Sequence, residues 1–524
     1  MNIMIYDCGL REGAQAKGVS YSVDDKIKIL KLFDEMGVSS VEGGNPHANP
    51  KEAEFFRRAK NMHLKHTKLC AFGSTCRVGV SPAEDENIKS LLSAETETVT
   101  IFGKSWDMHV SCVLKTDLET NLKLISDSVS YLKAQGKTVI FDAEHFFDGY
   151  KNNKDYALRV LKAAECAGAF AVVLCDTNGG TLGLDLYHAV KCAVETVAIP
   201  VGVHCHNDTS AADANSCLAV QAGAKMVHTC FLGIGERCGN ADLFSVVPNL
   251  QLKMNYTCIS DSAMRELKRY AGDIAEILNM QVPQNAPYVG SKAFSHKAGM
   301  HIDAIRKNSK TFEHIPPESV GNERKILLSD LSGSSAVLKK IQELAPEINK
   351  NSPETKSVLK ELKDLEYEGY QFEGAEASLE LLILRNLGLY HPIFDLDRFK
   401  VIVEEPAGEF ASAAMIKIKS GEKIEITADE GDGPVNALDK ALRKALEVFY
   451  PSLSNVRLTD FKVRVLDSEH ATASKVRVLI ESSDGKKSWS TVGVSSDIIR
   501  ASFKAVTDSL EYYLLIDKKS KKVR

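Results

Sequence analysis

Eight short, apolar, β-branched runs recur through the first 270 residues, and helical patterns fill most of the gaps between them. The runs are 3–6, 38–41, 68–72, 98–102, 138–141, 170–175, 199–203 and 225–229. Ser22-Val23-Asp24-Asp25 carries N-cap chemistry at the head of a helix whose apolar face is Ile27, Leu30, Phe33 and Met36, and Gly37 stops it. A second helical pattern runs from Tyr156 through Leu158, Leu161 and Ala164 to Gly168. Eight strands separated by helices over about 250 residues is the count and length of a TIM (β/α)8 barrel. The competing architecture, an open doubly wound sheet, is disfavoured because no Gly-x-Gly-x-x-Gly follows the first run.

The bulk properties narrow the function classes. A chain of 524 residues with a formal charge of -5 has no general attraction for nucleic acid or an anionic membrane surface. No apolar run reaches the ~20 residues of a membrane span, and the N-terminus reads as a strand, not a signal peptide. All 12 cysteines fall between Cys8 and Cys258 without a Cys-x-x-Cys, which points to a reducing, cytoplasmic setting and away from a cysteine-rich zinc site. The basic stretch Lys518 to Arg524 reads as a solvated terminus in preference to a docking patch.

In a barrel of this kind the chemistry sits at the C-terminal ends of the strands. Ionisable residues fall there: Asp7 and Arg11 after the first run, Glu42 after the second, Lys104, Asp107 and His109 after the fourth, and Asp142, Glu144 and His145 after the fifth. Asp176, Thr177 and Asn178 follow the sixth, His204 and His206 end the seventh, and Glu236, Arg237 and Asn240 follow the eighth. His204 and His206 are two apart, so on a strand both face the barrel mouth. Two neutral imidazoles with a carboxylate from the first strand make an N/O ligand set for a divalent ion, and Asn240 can add a carbonyl oxygen. The alternative is that the histidines only satisfy core hydrogen bonds; a His-x-His pair at a strand end favours metal. Cys8, Cys175 and Cys205 lack an activating partner in the pattern and read as packing rather than nucleophiles.

Several strings resemble the acyl-CoA-dependent Claisen-condensing metal enzymes, the isopropylmalate, homocitrate and citramalate synthases. They are Leu10-Arg11-Glu12-Gly13-Ala14-Gln15, Asp176-Thr177-Asn178-Gly179, His204-Cys205-His206-Asn207-Asp208 and Gly235-Glu236-Arg237-Cys238-Gly239-Asn240. His296-Lys297-Ala298-Gly299-Met300-His301-Ile302-Asp303 and Gly431-Asp432-Gly433-Pro434-Val435-Asn436-Ala437-Leu438 extend the resemblance over essentially the whole chain. Val41-Glu42-Gly43-Gly44, Phe102-Gly103-Lys104-Ser105-Trp106-Asp107 and the run from Phe141 to Tyr150 make it most similar to the citramalate-synthase branch.

The resemblance implies condensation of acetyl-CoA with pyruvate and water to (R)-citramalate and CoA, the first step of a threonine-independent isoleucine pathway. It implies a divalent ion (Mn2+, Mg2+ or Zn2+) on Glu12, His204, His206 and Asn240, with acetyl-CoA and a 2-oxo acid as substrates. It implies that Arg11 stabilises the developing alkoxide, and that Glu144 and His301 serve proton transfer; which of the two takes the methyl proton stays open. Thr177 resembles the residue that binds the substrate carboxylate, and Asp303 one that supports the His301 region. His109 resembles a pocket histidine, with a loop hydrogen bond as its alternative, and Glu42 either shapes the acceptor pocket or anchors Arg11. Asp7 reads as support behind the ligands. His301 and Asp303 lie beyond the barrel, so a second segment, plausibly the partner subunit's, has to reach its mouth.

Three strings depart from the resemblance. The usual Asp-Thr-Thr-Leu-Arg-Asp-Gly reads Asp7-Cys8-Gly9-Leu10-Arg11-Glu12-Gly13, which puts glutamate where a metal-ligating aspartate is expected and adds about 1.5 Å of reach. Thr209 to Asp213 replaces a stretch that usually contains Gly-Leu-Ala, and Phe231 to Gly235 replaces a more polar approach to Gly-Glu-Arg.

Beyond the barrel, residues 271–390 read as a mostly helical linker region, and 391–524 as an α+β domain of duplicated βββα units. The predicted strands are 399–403, 414–418 and 423–427 before a helix at 435–449, then 456–466, 475–480 and 488–494 before a helix at 497–515, with Asp484-Gly485 as a hairpin turn. The repeat carries no cluster of catalytic groups. The resemblance implies a regulatory domain that binds an amino-acid end product such as isoleucine, within a homodimer; dimerisation alone is the plainer alternative. Domain boundaries are thus expected at 1–270 (catalytic barrel), 271–390 and 391–524. Other readings are the same chemistry on another 2-oxo acid, as in isopropylmalate or homocitrate synthase, a metal-dependent lyase or aldolase, and a non-catalytic effector sensor.

Overall fold

The eight runs become eight parallel strands, each followed by a helix. They are β1 (Met4–Asp7), β2 (Ser40–Gly44), β3 (Lys68–Ser74), β4 (Thr98–Lys104), β5 (Thr138–Glu144), β6 (Ala171–Asp176), β7 (Val201–Cys205) and β8 (Met226–Thr229). They pair in sequential order, and β8 returns to β1 through Met4↔Met226 to Asp7↔Thr229, which closes a (β/α)8 barrel. The computed structural model describes all residues except 297–298, 327–332, 405–411, 467–473, 486 and 523–524. Lys297 and Ala298 of the His296–Asp303 string, and the last two residues of the basic tail, lie outside the described residues.

Local chemistry sets each element. Ser22 accepts from the Asp25 N–H while the Asp25 carboxylate accepts from the Ser22 N–H, a reciprocal cap that opens the helix Val23–Met36. Gly37 closes it at φ 81°. Alternate strand residues face opposite ways. Ile5, Val41, Val99, Ile101, Phe141, Leu174, Val203 and Val227 join the large core shared with the helices. The intervening Tyr6, Cys8, Cys70, Ile140, Val173, Cys175, Met226 and Cys230 form a separate cluster inside the barrel.

The strands run further than their apolar runs suggest. Glu42, Lys104, Asp142, Glu144 and Asp176, expected to follow their strands, lie within them. The ladder continues from Phe102↔Asp142 to Lys104↔Glu144 and from Cys175↔His204 to Asp176↔Cys205. Hydrophobicity ends where the lumen turns polar, whereas backbone pairing is indifferent to that change.

By contact density the chain forms two compact units, Met1–Ser295 with Phe312–Lys325, and His296–Thr311 with Ile326–Arg524. The second unit contains two antiparallel sheets of three strands. Asp395–Val403, Ser412–Ser420 and Lys423–Gly431 precede the helix Pro434–Glu447; Arg457–Val465, Val476–Ser483 and Ser488–Ser495 precede the helix Ile498–Lys522. Both first strands break register at the same place, between Leu396 and Arg398 in one copy and Leu458 and Asp460 in the other, which marks the two as repeats. Ile416, Ile418, Leu438 and Leu442 of the first copy and Val478, Ile480, Ala505 and Leu510 of the second share one core. On the other side of the first sheet Ile402, Ile424 and Ile426 are exposed, and in the second sheet Phe461, Val463 and Val465 are exposed although they face the same way as their register partners Ile480, Val478 and Val476. Among the described residues no helix is long and apolar enough to cross a membrane.

Candidate active site at the barrel rim

Glu12 opens a short 3-10 helix, Glu12–Gln15, directly after Arg11. His204 lies on β7, and His206, just past it, bridges to Asn240. All four are buried. Nε2 of His204 lies 3.4 Å from Nε2 of His206 and 3.8 Å from Oε1 of Glu12, and Nδ2 of Asn240 donates to it at 3.1 Å. Glu12, His204 and His206 each bring a ligand atom within 4.8 Å of the other two. Glu12 Oε2, His206 Nδ1 and Asn240 Oδ1 are buried without partners among the described residues. Unpaired polar atoms in a dry pocket are costly, and a cation repays that cost, so the donor set fits a divalent ion. Burial and the neighbouring His206 push the His204 ring down to about 3, and burial lowers His206 as well, so both are neutral and ligand-competent. Burial works to raise the Glu12 carboxyl, but the charge and hydrogen bond of the Arg11 guanidinium lead the influences that lower it. At Gly235 a Cβ would fall 2.0 Å from Asn240 Oδ1, so the amide takes its place only because that position is glycine.

Arg11 is clamped on three sides. Its Nε donates to Glu42 Oε1, Nη1 donates to Glu12 Oε1 at 2.8 Å, and Cζ lies 3.8 Å from the centre of the Phe72 ring. Burial works against the guanidinium charge, but Glu42 and Glu12 overcome it. Glu42 is fully buried, and its Oε2 accepts from the Tyr6 hydroxyl at 2.9 Å. Glu42 thus accepts from both Arg11 and Tyr6.

Asp7 is also fully buried, with Oδ1 accepting from the Gly9 N–H at 2.8 Å and Oδ2 from the Thr229 hydroxyl at 3.1 Å. Burial nevertheless pushes its carboxyl from 3.8 up to about 8. Between those values unfolding releases a proton, so the Asp7 contribution to stability is complete below about pH 4 and is lost as pH rises towards 8. Asp7→Asn is expected to flatten the fall in urea midpoint between pH 5 and pH 8, at most about 4 kcal/mol being at stake over those three pH units. An identical slope in the wild type and the variant would refute this.

Glu144 ends β5 and receives a hydrogen bond from Lys104 Nζ across the β4–β5 ladder. The next residue, His145, has φ 56° and donates its N–H to Thr177 Oγ1 at 2.9 Å, which leaves the threonine hydroxyl proton to donate elsewhere. His109 stacks on Trp106 at 5.1 Å and lies 4.2 Å from the His145 ring, so His109, His145 and Thr177 form a second rim group. His301 and Asp303 are not in these groups: they lie on the helix Gly299–Lys307 of the other unit, exposed, with Asp303 accepting from Lys307 at 2.7 Å.

Four participants are not evident from the sequence. Lys104 is expected to follow its strand, and the register that gives it Glu144 emerges only from the longer β4. Nothing in the sequence pattern singles out Tyr6 or His228. They are register partners, stacked at 4.1 Å, and a period-two count back from Cys230 puts His228 in the lumen. Cys8, read as packing, lies 3.7 Å from His228 and 3.9 Å from His204.

The closed barrel, with imidazoles, a carboxylate and a guanidinium on one rim, defines a (β/α)8 protein equipped for metal-assisted chemistry. Residues 2–270 match the family described as HMGL-like, 288–369 the homocitrate synthase post-HMGL domain-like family and 373–514 the LeuA allosteric (dimerisation) domain. A curated (R)-citramalate synthase of Aquifex aeolicus is 51% identical over 98% of this chain and 98% of its own length. That of Geobacter sulfurreducens is 48% identical over 98% and 97%. A probable 2-isopropylmalate synthase of Methanopyrus kandleri is 32% identical over 96% of each chain. The chain belongs to the citramalate synthase branch of the isopropylmalate and homocitrate synthase family.

Proposed function

We propose that the chain condenses acetyl-CoA with pyruvate and water to give (R)-citramalate and CoA, in the cytoplasm, as an entry to isoleucine synthesis. The observation that carries this is the guanidinium of Arg11 joined to Glu12, which itself faces the neutral His204 and His206. The full-length likeness to curated citramalate synthases supports pyruvate as the acceptor.

Glu12, His204, His206 and Asn240 would hold Mn2+, Mg2+ or Zn2+. When bound there, the ion supplies Lewis acidity for a ketone oxygen. Arg11 directs permanent positive charge at the same oxygen, and Glu42 with Phe72 fixes the plane of its fork. Thr177, its hydroxyl turned outward by the His145 N–H, donates to the acid's carboxylate, and His109 walls that side of the pocket. Glu144, held by Lys104, is one group proposed to take the methyl proton; His301, supported by Asp303, is the other.

The test is release of free CoA thiol from acetyl-CoA with pyruvate, glyoxylate, 2-oxobutyrate, 2-oxoisovalerate and 2-oxoglutarate, with and without EDTA. Turnover with pyruvate that EDTA abolishes is expected; preference for another acid overturns the substrate, and EDTA-insensitive turnover overturns the metal.

The second unit is proposed to pair two copies and to bind an amino-acid effector such as isoleucine, a reading supported by its match to the LeuA allosteric (dimerisation) domain. Ile424 and Ile426 are 56% and 57% exposed on a sheet face that an isolated unit would leave wet. Ile424→Asp with Ile426→Asp is expected to halve the mass measured by light scattering while the far-ultraviolet spectrum stays unchanged. An unaltered mass would remove this face from the interface.

A further inference from the structure

His204 has one ring nitrogen in each of two clusters. Nε2 faces Glu12, His206 and Asn240. Nδ1 points the other way, towards Cys8 and His228. It lies 3.4 Å from Nδ1 of His228 and 3.9 Å from Sγ of Cys8, and the third side of the triangle, from Cys8 Sγ to His228 Nδ1, is 3.7 Å. An ion held tetrahedrally with Zn–S near 2.3 Å and Zn–N near 2.0–2.1 Å needs about 3.4 Å between its nitrogens and about 3.6 Å from nitrogen to sulfur. The first distance is met, and the two others are within a few tenths of an ångström, less than a small side-chain rotation.

The surroundings suit a cation better than they suit three neutral groups. Cys8 and His228 are buried to within 1%, and His204 is 5% exposed. Tyr6, stacked on His228, fixes the plane of its ring. Oδ2 of the buried Asp142 lies 4.0 Å from that nitrogen, and its Oδ1 has no partner among the described residues. With hydrogen bonds alone, two imidazoles and one thiol share a single long triangle, while Asp142 Oδ1 stays unsatisfied among the described residues. With a dication, one thiolate and one carboxylate balance its charge. Cys8 stands where the family string has threonine, so the sulfur belongs to this chain rather than to the usual motif.

We propose that Cys8, Nδ1 of His204 and Nδ1 of His228 form a second, thiophilic metal site of the zinc class in the barrel lumen. Thiolate with imidazole selects zinc-like ions, whereas the carboxylate, amide and imidazole set at the rim also accepts harder ones. Binding releases the Cys8 thiol proton. The two sites share one ring, and filling both requires His204 to give up its last N–H proton, so occupation of one weakens the other. This inference stands apart from the identity of the acceptor acid.

Co2+ titrated into metal-free, full-length protein tests it. A thiolate-to-cobalt charge-transfer band in the near ultraviolet is expected to saturate at about one equivalent. Cys8→Thr and Cys8→Ser are each expected to remove the band, and His228→Gln to weaken cobalt binding at least tenfold. His206→Ala, which breaks only the rim set, is expected to keep the band; melting curves verify that each variant is folded. No band in the wild type, a band that survives in folded Cys8→Thr, or a band lost in folded His206→Ala would each overturn the proposal.

Discussion

Arg11→Lys is expected to lower kcat for thiol release by about 10²–10³ while leaving the protein folded. Lysine keeps the charge but has neither the fork nor the flat face. In the wild type Nε is committed to Glu42, Nη1 to Glu12, and the plane lies against Phe72. An ammonium group can satisfy one of those carboxylates but cannot keep its donors aimed at a fixed point on the substrate. The loss should fall on kcat more than on KM, because the charge is needed most where the alkoxide develops. Arg11→Ala is a poorer experiment: it strands Glu42 as an unpaired buried carboxylate, at a cost of about 3–5 kcal/mol in stability, and confounds folding with catalysis. A lysine variant within threefold of wild type would show that charge alone suffices.

Glu12→Gln is expected to weaken Mn2+ affinity by more than the ~10–100-fold typical of groups that only support a ligand, with activity partly restored at high Mn2+. The amide keeps the size of the side chain and its bond to Arg11 through Oε1, but removes the negative charge that Arg11 stabilises. Isothermal titration reads the affinity directly, and thiol release at increasing Mn2+ reads the rescue. Glu12→Asp is the informative companion. It restores the expected aspartate but withdraws the carboxylate by about 1.5 Å. If aspartate binds metal as well as glutamate, the backbone after β1 is compliant; if it binds less well, that loop is set for the longer side chain. Unchanged Mn2+ affinity in Glu12→Gln would remove Glu12 from the ligand set.

The barrel was legible because its signal is local and repeated: each strand–helix pair announces itself within about thirty residues. The rim groups were legible for a similar reason, since Arg11-Glu12 and His204-x-His206 are adjacent in the chain. What escaped depends on long-range register. Cys8 and His228 are separated by most of the barrel sequence and meet only because β8 closes onto β1, with Tyr6 opposite His228. Lys104 and Glu144 likewise meet only once the strands are known to outlast their hydrophobic runs. Hydropathy locates a strand by its buried outer face, and is blind to a lumen that turns from sulfur and aliphatic carbon to carboxylate and imidazole.

The inner cysteines carry a consequence for how this molecule meets oxidants and electrophiles. Burial drives the thiols of Cys8, Cys175 and Cys230 far above their ordinary range, and without a thiolate there is no nucleophile. Ahead of the half-buried Cys192, Cys217 and Cys258, attack therefore falls first on the exposed Cys112, Cys166 and Cys238. The third of these sits in the loop after β8, one residue from Arg237 and two from Asn240. Chemical stress that leaves the barrel untouched thus enters at one sulfur on the lip of the site, where a single adduct is enough to crowd the loop that carries Asn240.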